Sequence, residues 1–344
     1  MKTPERILVI RLSAIGDIVM ASGLIPAMRK RWPEAHITWL VEEPMAELLR
    51  ANPRIDAVKV LPRAHWRRLR KAGHYGLLLK DFQQMHAWLQ AQAFDWVVDL
   101  QGLLKSGVWA FLSRAARRVG LGSREGSQWL MTETLPRIMD DPRIGKEYRD
   151  LSRYLGADPD DFRLDMVISD ADRASAKAAL KKVGITASYG VIAPLTTRPQ
   201  KHWPDAYWGQ LAKLIGPQRP LIMLGGPQDL ERAQRIMALS PHPLLSLVGQ
   251  TPLMQSAAII ESAHYLVGVD TGLTHLGIAL GTPTIAIFGS TAPYLDPLSD
   301  NARVLYEPRD CSPCHRHPSC NNRFDCMRAQ TPERVAHALT AVID

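Results

Sequence analysis

The sequence lacks long apolar runs: no stretch approaches the roughly 20 residues that a membrane-spanning helix needs. Residues 1–5 are too few and too charged to form a secretion signal, and no low-complexity tract or short internal repeat occurs. The phosphate-binding patterns G-x-G-x-x-G and G-x-x-x-x-G-K-[ST] are also missing, as is any recognised nucleic-acid-binding motif. We therefore expect a soluble, cytoplasmic protein, and the missing motifs argue for no nucleic acid among its partners.

Short apolar segments alternate with helical ones along the 344 residues, and this pattern is typical of α/β proteins with parallel sheets. The length exceeds a single typical core, so we expect two domains. The predicted boundaries are 1–165 for an N-terminal domain, 166–330 for a C-terminal domain and 331–344 for a final helix. Two Rossmann-like domains facing a cleft would suit the joining of two different substrates.

Strand-like apolar segments are followed by polar turns and helical segments. One helix is predicted from Ile18 to about Arg31, directly after the first strand. Strands are predicted at residues 6–12, 37–41, 58–61, 94–100, 189–193, 221–224, 265–269 and 284–288.

The formal charge of +8 is concentrated in the first half of the chain. Residues 1–165 contain 26 Lys and Arg against 20 Asp and Glu, whereas residues 166–344 contain 16 against 14. This excess indicates an anionic partner for the first half, with nucleic acid, an anionic membrane surface and a phosphorylated or carboxylated substrate as candidates. The cations at residues 63–71 are the densest part of it, although such clusters are usually solvated surface.

Asp17 follows Gly16 at the start of the first predicted helix. An Asp at such a position commonly caps the helix. The carboxyl end of a strand in an open α/β sheet is also where ligands bind, so Asp17 is a candidate general base. Position alone favours the capping role somewhat.

Two further strand-to-helix turns carry polar side chains. The first contains Thr196, Thr197 and Lys201, whose hydroxyls and charge suit a diphosphate. A solvated polar loop is an equally good interpretation. The second contains Asp270-Thr271-Gly272, followed by His275 on the next helix. Amides at that helix N-terminus would attract phosphate, although an ordinary α/β loop and a packed core histidine explain the same residues.

Four cysteines fall within 16 residues, in the pattern C-x2-C-x5-C-x5-C. A structural zinc site is one interpretation, because C-x-x-C pairs suit tetrahedral metal. Reduced thiols and disulfides stay open, and a catalytic role is not expected. The candidate zinc ligands are Cys311, Cys314, Cys320 and Cys326.

Five segments carry a resemblance to glycosyltransferase family 9, the bacterial lipopolysaccharide heptosyltransferases, and most closely to its heptosyltransferase I branch. They lie between residues 6 and 293 and read RLSAIGDIVMASGLIPAMRKRWP, WLVEEPMAEL, DLQGLLKSG, TTRPQKHWP and VDTGLTHLGIALGTPTIAIFGSTAP. The resemblance implies the GT-B fold. It also implies inverting, metal-independent transfer of L-glycero-D-manno-heptose from ADP-heptose to a 3-deoxy-manno-octulosonic acid (Kdo) residue of lipid A.

The resemblance also assigns roles to residues of this sequence. Asp17 matches the catalytic base, and Asp229 stands near the usual acidic ribose contact, where this chain departs from the family pattern. The donor contacts it implies are Thr196, Thr197, Lys201, Asp270, Thr271, Gly272 and His275. The expected acceptor contacts are Ser13, Gly16, Arg67, Arg70, Lys71 and Arg124.

The expected protein is a monomer that needs no catalytic cofactor and works at the inner face of the inner membrane, where anionic lipid A would meet the basic domain. Two other functions stay open. One is a heptosyltransferase II-like or other family 9 enzyme with a different acceptor. The other is a sugar-nucleotide or nucleic-acid binding protein that has lost turnover.

Overall fold

A computed structural model describes residues 3–138, 140–314 and 317–343. The chain forms two compact units. The N-terminal unit comprises Met1–Asp140 and Gly145–Val167, and the C-terminal unit comprises Asp141–Ile144 and Ile168–Asp344. No helix in the described ranges is both long enough and apolar enough to cross a bilayer.

The N-terminal unit is built on a parallel six-stranded sheet. Its strands are β1 (Arg6–Ile10), β2 (His36–Glu42), β3 (Ala57–Leu61), β4 (Trp96–Asp99), β5 (Arg117–Leu121) and β6 (Glu133–Leu135). Their order across the sheet is β3-β2-β1-β4-β5-β6. β1 and β4 are buried along almost their whole length, which agrees with their near-continuous apolar sequences.

Seven helices of the described chain accompany this sheet. They are α1 (Ile15–Ala21), α2 (Leu24–Arg31), α3 (Glu47–Arg50), α4 (Arg63–Lys71), α5 (Tyr75–Gln92), α6 (Leu104–Leu112) and α7 (Lys146–Leu155). The prediction of one helix from Ile18 to Arg31 was wrong, because the chain breaks between α1 and α2. Gly23 lies at the break, where an added Cβ would come within 2.4 Å of the Phe162 ring, and the Ser22 hydroxyl donates to the Val19 carbonyl.

The C-terminal unit repeats the same plan. Its parallel strands are β7 (Gly190–Ala193), β8 (Leu221–Met223), β9 (Leu244–Ser246), β10 (Tyr265–Val269), β11 (Thr284–Ile287) and β12 (Ala302–Leu305), in the order β12-β11-β10-β7-β8-β9. Its helices are α8 (Asp170–Lys182), α9 (Asp205–Ile215), α10 (Leu230–Ala238), α11 (Leu253–Glu261), α12 (Gly272–Ala279), α13 (Asp325–Arg328) and α14 (Pro332–Ile343).

In each sheet the strand order reverses between the first and fourth strands of the unit, that is, between β1 and β4 and between β7 and β10. Loops that leave two such strands diverge, and the resulting crevice at the carboxyl edge is where open α/β sheets bind ligands. The predicted α/β class with two parallel Rossmann-like sheets is confirmed. The topology also marks the loops after these four strands as the places to look for a site.

Candidate functional site

Asp17 lies in the first turn of α1, in the loop region that follows β1. Its Oδ2 accepts a hydrogen bond from the Ala14 amide at 3.1 Å and lies 2.6 Å from Nη2 of Arg11. Its Oδ1 has no partner among the described residues, and the side chain is 40% exposed. One carboxylate oxygen is therefore held in place while the other is open to a ligand. Asp17 therefore bonds to the start of the helix through Oδ2 and leaves Oδ1 available.

Arg11 is buried, with 4% of its surface exposed, and it joins the ends of two neighbouring strands. Its Nη1 donates to the Leu100 carbonyl just after β4 at 2.6 Å, while its Nη2 pairs with Asp17. Burial lowers the pKa of Arg11, but the nearby Tyr148 and Asp17 outweigh it and raise the pKa above the ordinary value. The guanidinium is therefore charged, and it fixes the carboxylate relative to both strands. No sequence pattern pointed to this residue.

The loop after β4 is held by Asp99, the last residue of that strand. Its Oδ1 accepts from the amides of Gln101 at 3.0 Å and Gly102 at 3.2 Å, and its Oδ2 accepts from the Ser106 hydroxyl at 2.9 Å. Burial raises the pKa of Asp99 to about 6, and these hydrogen bonds offset that effect only in part. The DLQGLLKSG segment thus folds its own loop around a buried carboxyl group.

Gln101 connects that loop to the one that carries Asp17. Its side-chain oxygen accepts from the amides of Leu12 at 3.2 Å and Ser13 at 3.4 Å. Ser13 and Gly16, the predicted acceptor contacts of this loop, are both partly exposed beside Asp17. The N-terminal switch point therefore presents one exposed carboxylate on a loop that is bonded to its neighbour.

The C-terminal switch point brings three predicted residues together. Nζ of Lys201 lies 2.5 Å from Oδ2 of Asp270, and Nε2 of His275 lies 3.3 Å from Oδ1 of the same carboxylate. Burial raises the pKa of Asp270, but the hydrogen bond from His275 and the charge of Lys201 outweigh it and hold the pKa well below its ordinary value. Asp270 is thus an ionised, buried carboxylate. Both of its oxygens are already paired with neighbouring side chains.

Two members of this cluster, Thr291 and Tyr294, were missed by the sequence analysis. The Thr291 hydroxyl donates to Oδ2 of Asp270 at 2.5 Å, and the Tyr294 hydroxyl is 2.6 Å from Nδ1 of His275. Both residues follow β11, the neighbour of β10 in the sheet. Thr291 therefore shares Oδ2 of Asp270 with Lys201, and Tyr294 constrains which ring nitrogen of His275 carries a proton.

The N-terminus of α12 adds donors beside this cluster. Thr271 precedes the helix with an extended backbone, and its side chain makes no capping hydrogen bond. In the described part of the chain, the amides of Gly272 and Leu273 have no acceptor. Such amides, at the positive end of the helix dipole, are suited to bind an anion.

The remaining predicted donor residues are less engaged. Thr196 is partly exposed and Thr197 is exposed, both in the segment between β7 and Lys201. Asp229 caps its own turn, because its Oδ2 accepts from the Gly226 amide at 3.0 Å. The structure leaves the hydroxyls accessible and shows Asp229 in a local structural role.

The predicted acceptor cations lie on the surface of the N-terminal unit. Arg67, Arg70 and Lys71 are exposed on α4, and within the described ranges no hydrogen bond or ion pair joins them to the Asp17 loop. Arg124 is closer to the switch point, because its amide donates to the Gly102 carbonyl at 3.0 Å, while its side chain is exposed.

The zinc interpretation of the four cysteines is not supported. All four are free thiols, and no group of three or more metal-binding side chains is found among the described residues. Two of the thiols also have contacts outside the cysteine cluster: Sγ of Cys314 donates to the Ser290 carbonyl at 3.8 Å, and Cys326 packs against Gly289. Burial raises the pKa of both thiols, which favours the neutral form.

Comparison with known proteins identifies the relatives of this chain. Residues 83–324 match the sequence profile of glycosyltransferase family 9 (heptosyltransferase). Lipopolysaccharide heptosyltransferase 1 of Pseudomonas aeruginosa is 29% identical over an alignment of 361 residues that covers 98% of each chain. Lipopolysaccharide heptosyltransferase 2 of Escherichia coli K12 is 23% identical, again over 98% of each chain. The structure of E. coli heptosyltransferase WaaC with ADP is 25% identical, with a TM-score of 0.72 over 97% of this chain and 99% of WaaC.

Proposed function

Because the chain belongs to glycosyltransferase family 9, we propose that it transfers L-glycero-D-manno-heptose from ADP-heptose to the Kdo region of lipid A. This is a step in the synthesis of the lipopolysaccharide inner core. The relative from P. aeruginosa is a lipopolysaccharide heptosyltransferase 1, and WaaC is a heptosyltransferase whose structure contains ADP. The observation that carries the proposal is the open Oδ1 of Asp17 at a switch point, on a carboxylate whose other oxygen is fixed.

The donor binds to the C-terminal unit in this proposal. The free amides at the start of α12 and the hydroxyls of Thr196 and Thr197 bind the diphosphate, and the ammonium of Lys201 balances its charge. Lys201 has three N–H donors, so it serves a phosphate oxygen while it stays paired with Asp270. Thr271, Gly272 and His275 contact the heptose and the phosphates, and Asp229 contacts the ribose.

Asp17 supplies the base for the transfer. Its Oδ1 takes the proton of the acceptor hydroxyl as the hydroxyl oxygen forms a bond to the anomeric carbon of the heptose. The bond from that carbon to the β-phosphate oxygen breaks on the opposite face, ADP leaves with the electron pair, and the configuration inverts. A diphosphate is a good leaving group, so the reaction needs no second carboxylic acid of the kind that a glycosidase uses.

The reaction is proposed to need no metal ion or other cofactor. Charge on the departing diphosphate is stabilised by Lys201 and by the N-terminal end of α12, both of which are positive. We expect full turnover in the presence of EDTA, measured as ADP release. A strict requirement for added divalent cation would contradict this part of the proposal.

The acceptor is anionic, and it meets cations of the N-terminal unit. Ser13 and Gly16 lie beside the base, while Arg67, Arg70, Lys71 and Arg124 bind the carboxylates and phosphates of Kdo-lipid A. The protein is proposed to act as a monomer at the inner face of the inner membrane. Acceptor binding should weaken with added salt, because exposed charges are screened.

The decisive experiment offers ADP-heptose with Kdo-lipid A and, in parallel, with heptosylated Kdo-lipid A, and identifies products by mass spectrometry. Product from the first acceptor alone supports the proposal. Product from the second alone favours a heptosyltransferase II-like enzyme, which the similarity to the E. coli heptosyltransferase 2 keeps in view. ADP-heptose binding without any product would indicate a non-catalytic binding protein.

The donor assignment has its own test in Lys201→Ala. We expect this variant to bind ADP at least about tenfold more weakly, because a charge-assisted contact to phosphate is lost. Lys213→Ala, which removes an exposed lysine of α9 in the same unit, is the matched control and should bind ADP as the parent does. Equal ADP affinity in all three proteins would overturn the assignment.

A further inference from the structure

The turn between α4 and α5 exposes apolar side chains that the described residues leave uncovered. Leu69, Met85 and Leu89 pack inward with 8%, 5% and 0% exposure and hold the two helices to the unit. Residues 70–80, by contrast, are exposed at every position except Leu78, which is half-buried. We call these eleven residues the hairpin tip. Tyr75, Leu77 and Leu79 of the tip are 64%, 54% and 58% exposed.

The hairpin tip is surrounded by positive charge. Residues 63–80 contain six Lys and Arg and no Asp or Glu. Arg63 pairs with Glu42, but none of the other five forms an ion pair within the described chain. These five are Arg67, Arg68, Arg70, Lys71 and Lys80. A strongly cationic segment without internal counter-charges indicates an external anionic partner.

An anionic bilayer is a partner that suits both the exposed leucines and the unpaired cations. The surface of an anionic bilayer offers phosphates for the Lys and Arg side chains and an apolar layer just below them for the leucines and Tyr75. α5 also starts without a side-chain cap on its first amides, and lipid phosphates would satisfy such donors. A soluble anionic polymer would leave the leucines in water, and an apolar protein groove would leave the cations unpaired.

We propose that the hairpin tip is a membrane-docking element that inserts Tyr75, Leu77 and Leu79 into the interface of an anionic bilayer. The inference deepens the proposed function, which places the acceptor in a membrane, but it depends on no step of sugar transfer. The bilayer supplies phosphate headgroups and acyl chains, and the protein supplies the charges and the apolar tip.

The helix geometry sets how the tip enters. Successive residues of an α-helix are about 100° apart, so Leu77 and Leu79 leave α5 about 200° apart, on opposite flanks. A helix lying flat on the membrane would bury only one of them. A helix that enters with its N-terminal end first buries both, and this end-on entry is the orientation we infer.

The test is co-sedimentation of the purified full chain with vesicles that contain no acceptor. We expect binding to vesicles of phosphatidylethanolamine and phosphatidylglycerol, and much weaker binding to pure phosphatidylcholine. Leu77→Ser with Leu79→Ser should lower the partition coefficient at least about tenfold, since buried apolar area is lost. Leu214→Ser with Leu239→Ser, which changes two exposed leucines of the other unit, is the matched control and should bind as the parent does.

Charge and orientation are tested separately. Arg70→Gln with Lys71→Gln should reduce binding about 25-fold, or about fivefold for each charge, whereas Lys181→Gln with Lys182→Gln in α8 should change little. Each single leucine variant should lose a similar share of binding; a loss confined to one leucine would overturn the end-on orientation.

Two results would overturn the docking proposal itself. One is the absence of binding to anionic vesicles by the parent. The other is a concentration-dependent dimer of the parent that the double leucine variant abolishes while vesicle binding is unchanged, since the face would then belong to a second copy. Because the vesicles lack Kdo-lipid A and ADP-heptose, none of these results depends on whether the proposed transfer occurs.

Discussion

Asp99 and Asp270 stand at corresponding places in the two units, each at the end of the fourth strand beside the switch point. Both carboxyl groups are buried, yet their pKa values move in opposite directions. Burial raises the pKa of Asp99 to about 6, whereas for Asp270 the partners His275 and Lys201 outweigh burial and lower it. Asp99 is bonded to a hydroxyl and two amides, and Asp270 has a cation 2.5 Å away.

The difference lies in where each unit directs its cation. In the C-terminal unit, Lys201 from the loop after the first strand pairs with the buried carboxylate of the fourth. In the N-terminal unit, Arg11 at the end of the first strand pairs with Asp17, an exposed carboxylate of its own loop. Both oxygens of Asp270 are thereby paired with neighbouring side chains, whereas Asp17 keeps one oxygen without a partner among the described residues. One topology thus yields two different carboxylates, to which we assign the proposed donor-binding and base roles.

Asp17→Asn should have the largest effect on turnover. Amide substitution keeps the shape but removes the base, so kcat should fall about 10²- to 10⁴-fold, while ADP affinity and the free energy of unfolding stay near those of the parent. Transfer assays, ADP titration and urea unfolding provide the three readouts. Asp160→Asn, at an exposed carboxylate of the same unit, is the control. Undiminished kcat in Asp17→Asn would remove the base assignment.

Asp270→Asn should show the opposite profile. The substitution leaves Lys201 in a largely buried place without its counter-charge, and breaking such a pair typically costs about 3–5 kcal/mol in the free energy of unfolding. ADP affinity should fall as well, because the lysine loses its orientation. Adding Lys201→Met should recover part of the lost stability, measured as a double-mutant cycle. If Asp270→Asn is as stable as the parent, the two carboxylates do not differ in the way described.

Arg11→Met should act on kcat through the position of Asp17. A carboxylate that loses its fixed contact samples unproductive orientations, and misplacement of a reacting group costs up to about 100-fold in rate. The donor KM and ADP affinity should be unchanged, and Arg11→Lys should restore part of kcat because an ammonium still reaches Oδ2. In an Asp17→Asn background, Arg11→Met should cost no further activity. If Arg11 were only structural, Arg11→Met would instead lower kcat by the same factor in the parent and in the Asp17→Asn background.

The local patterns that predicted the switch-point loops depend on residues close together in sequence. An apolar run, a polar turn and a helix start identify β1, β7 and β10 and their loops, so Asp17, Lys201 and Asp270 could be singled out. Thr291 and Tyr294 could not, because they meet Asp270 and His275 only through the pairing of β10 with β11. Arg11 falls within a predicted apolar strand, and its role depends on the carbonyl of Leu100, which is far away in sequence but follows the neighbouring strand β4.

The missed elements have physical reasons of the same kind. The strands that were not predicted, β5, β6, β9 and β12, are only three to five residues long. β5, β6 and β12 carry charged residues, so they form no apolar run of their own, and β6, β9 and β12 lie at sheet edges where one side is unpaired. The break between α1 and α2 lies where Gly23 meets the ring of Phe162, a residue far away in sequence. Tertiary contacts decide both features, and a single-sequence pattern does not contain them.

Asp99→Asn should have the smallest effect, and its pH dependence separates the two buried carboxyl groups. The pKa of Asp99 is about 6 in the fold against an ordinary 3.8, so the fold favours the protonated form. This group therefore adds stability at low pH that is lost as pH rises from about 4 to 6. As the pH rises from about 4 to 6, the free energy of unfolding of Asp99→Asn should therefore increase relative to that of the parent by about 1–3 kcal/mol.

The comparison with the parent at each pH is needed because other groups titrate in the same window. Burial, with the charge of Arg232, lowers the pKa of His202 to about 4, so its contribution grows with pH and opposes that of Asp99. Asp270, with its lowered pKa, contributes stability that is lost only as the pH falls below the ordinary range of an aspartate. Urea unfolding from pH 4 to 8 should therefore give a difference curve that changes between pH 4 and 6 for Asp99→Asn and a nearly flat one for Asp270→Asn, whose contribution changes only at lower pH. Parallel curves would show that the two switch points treat their carboxyl groups alike.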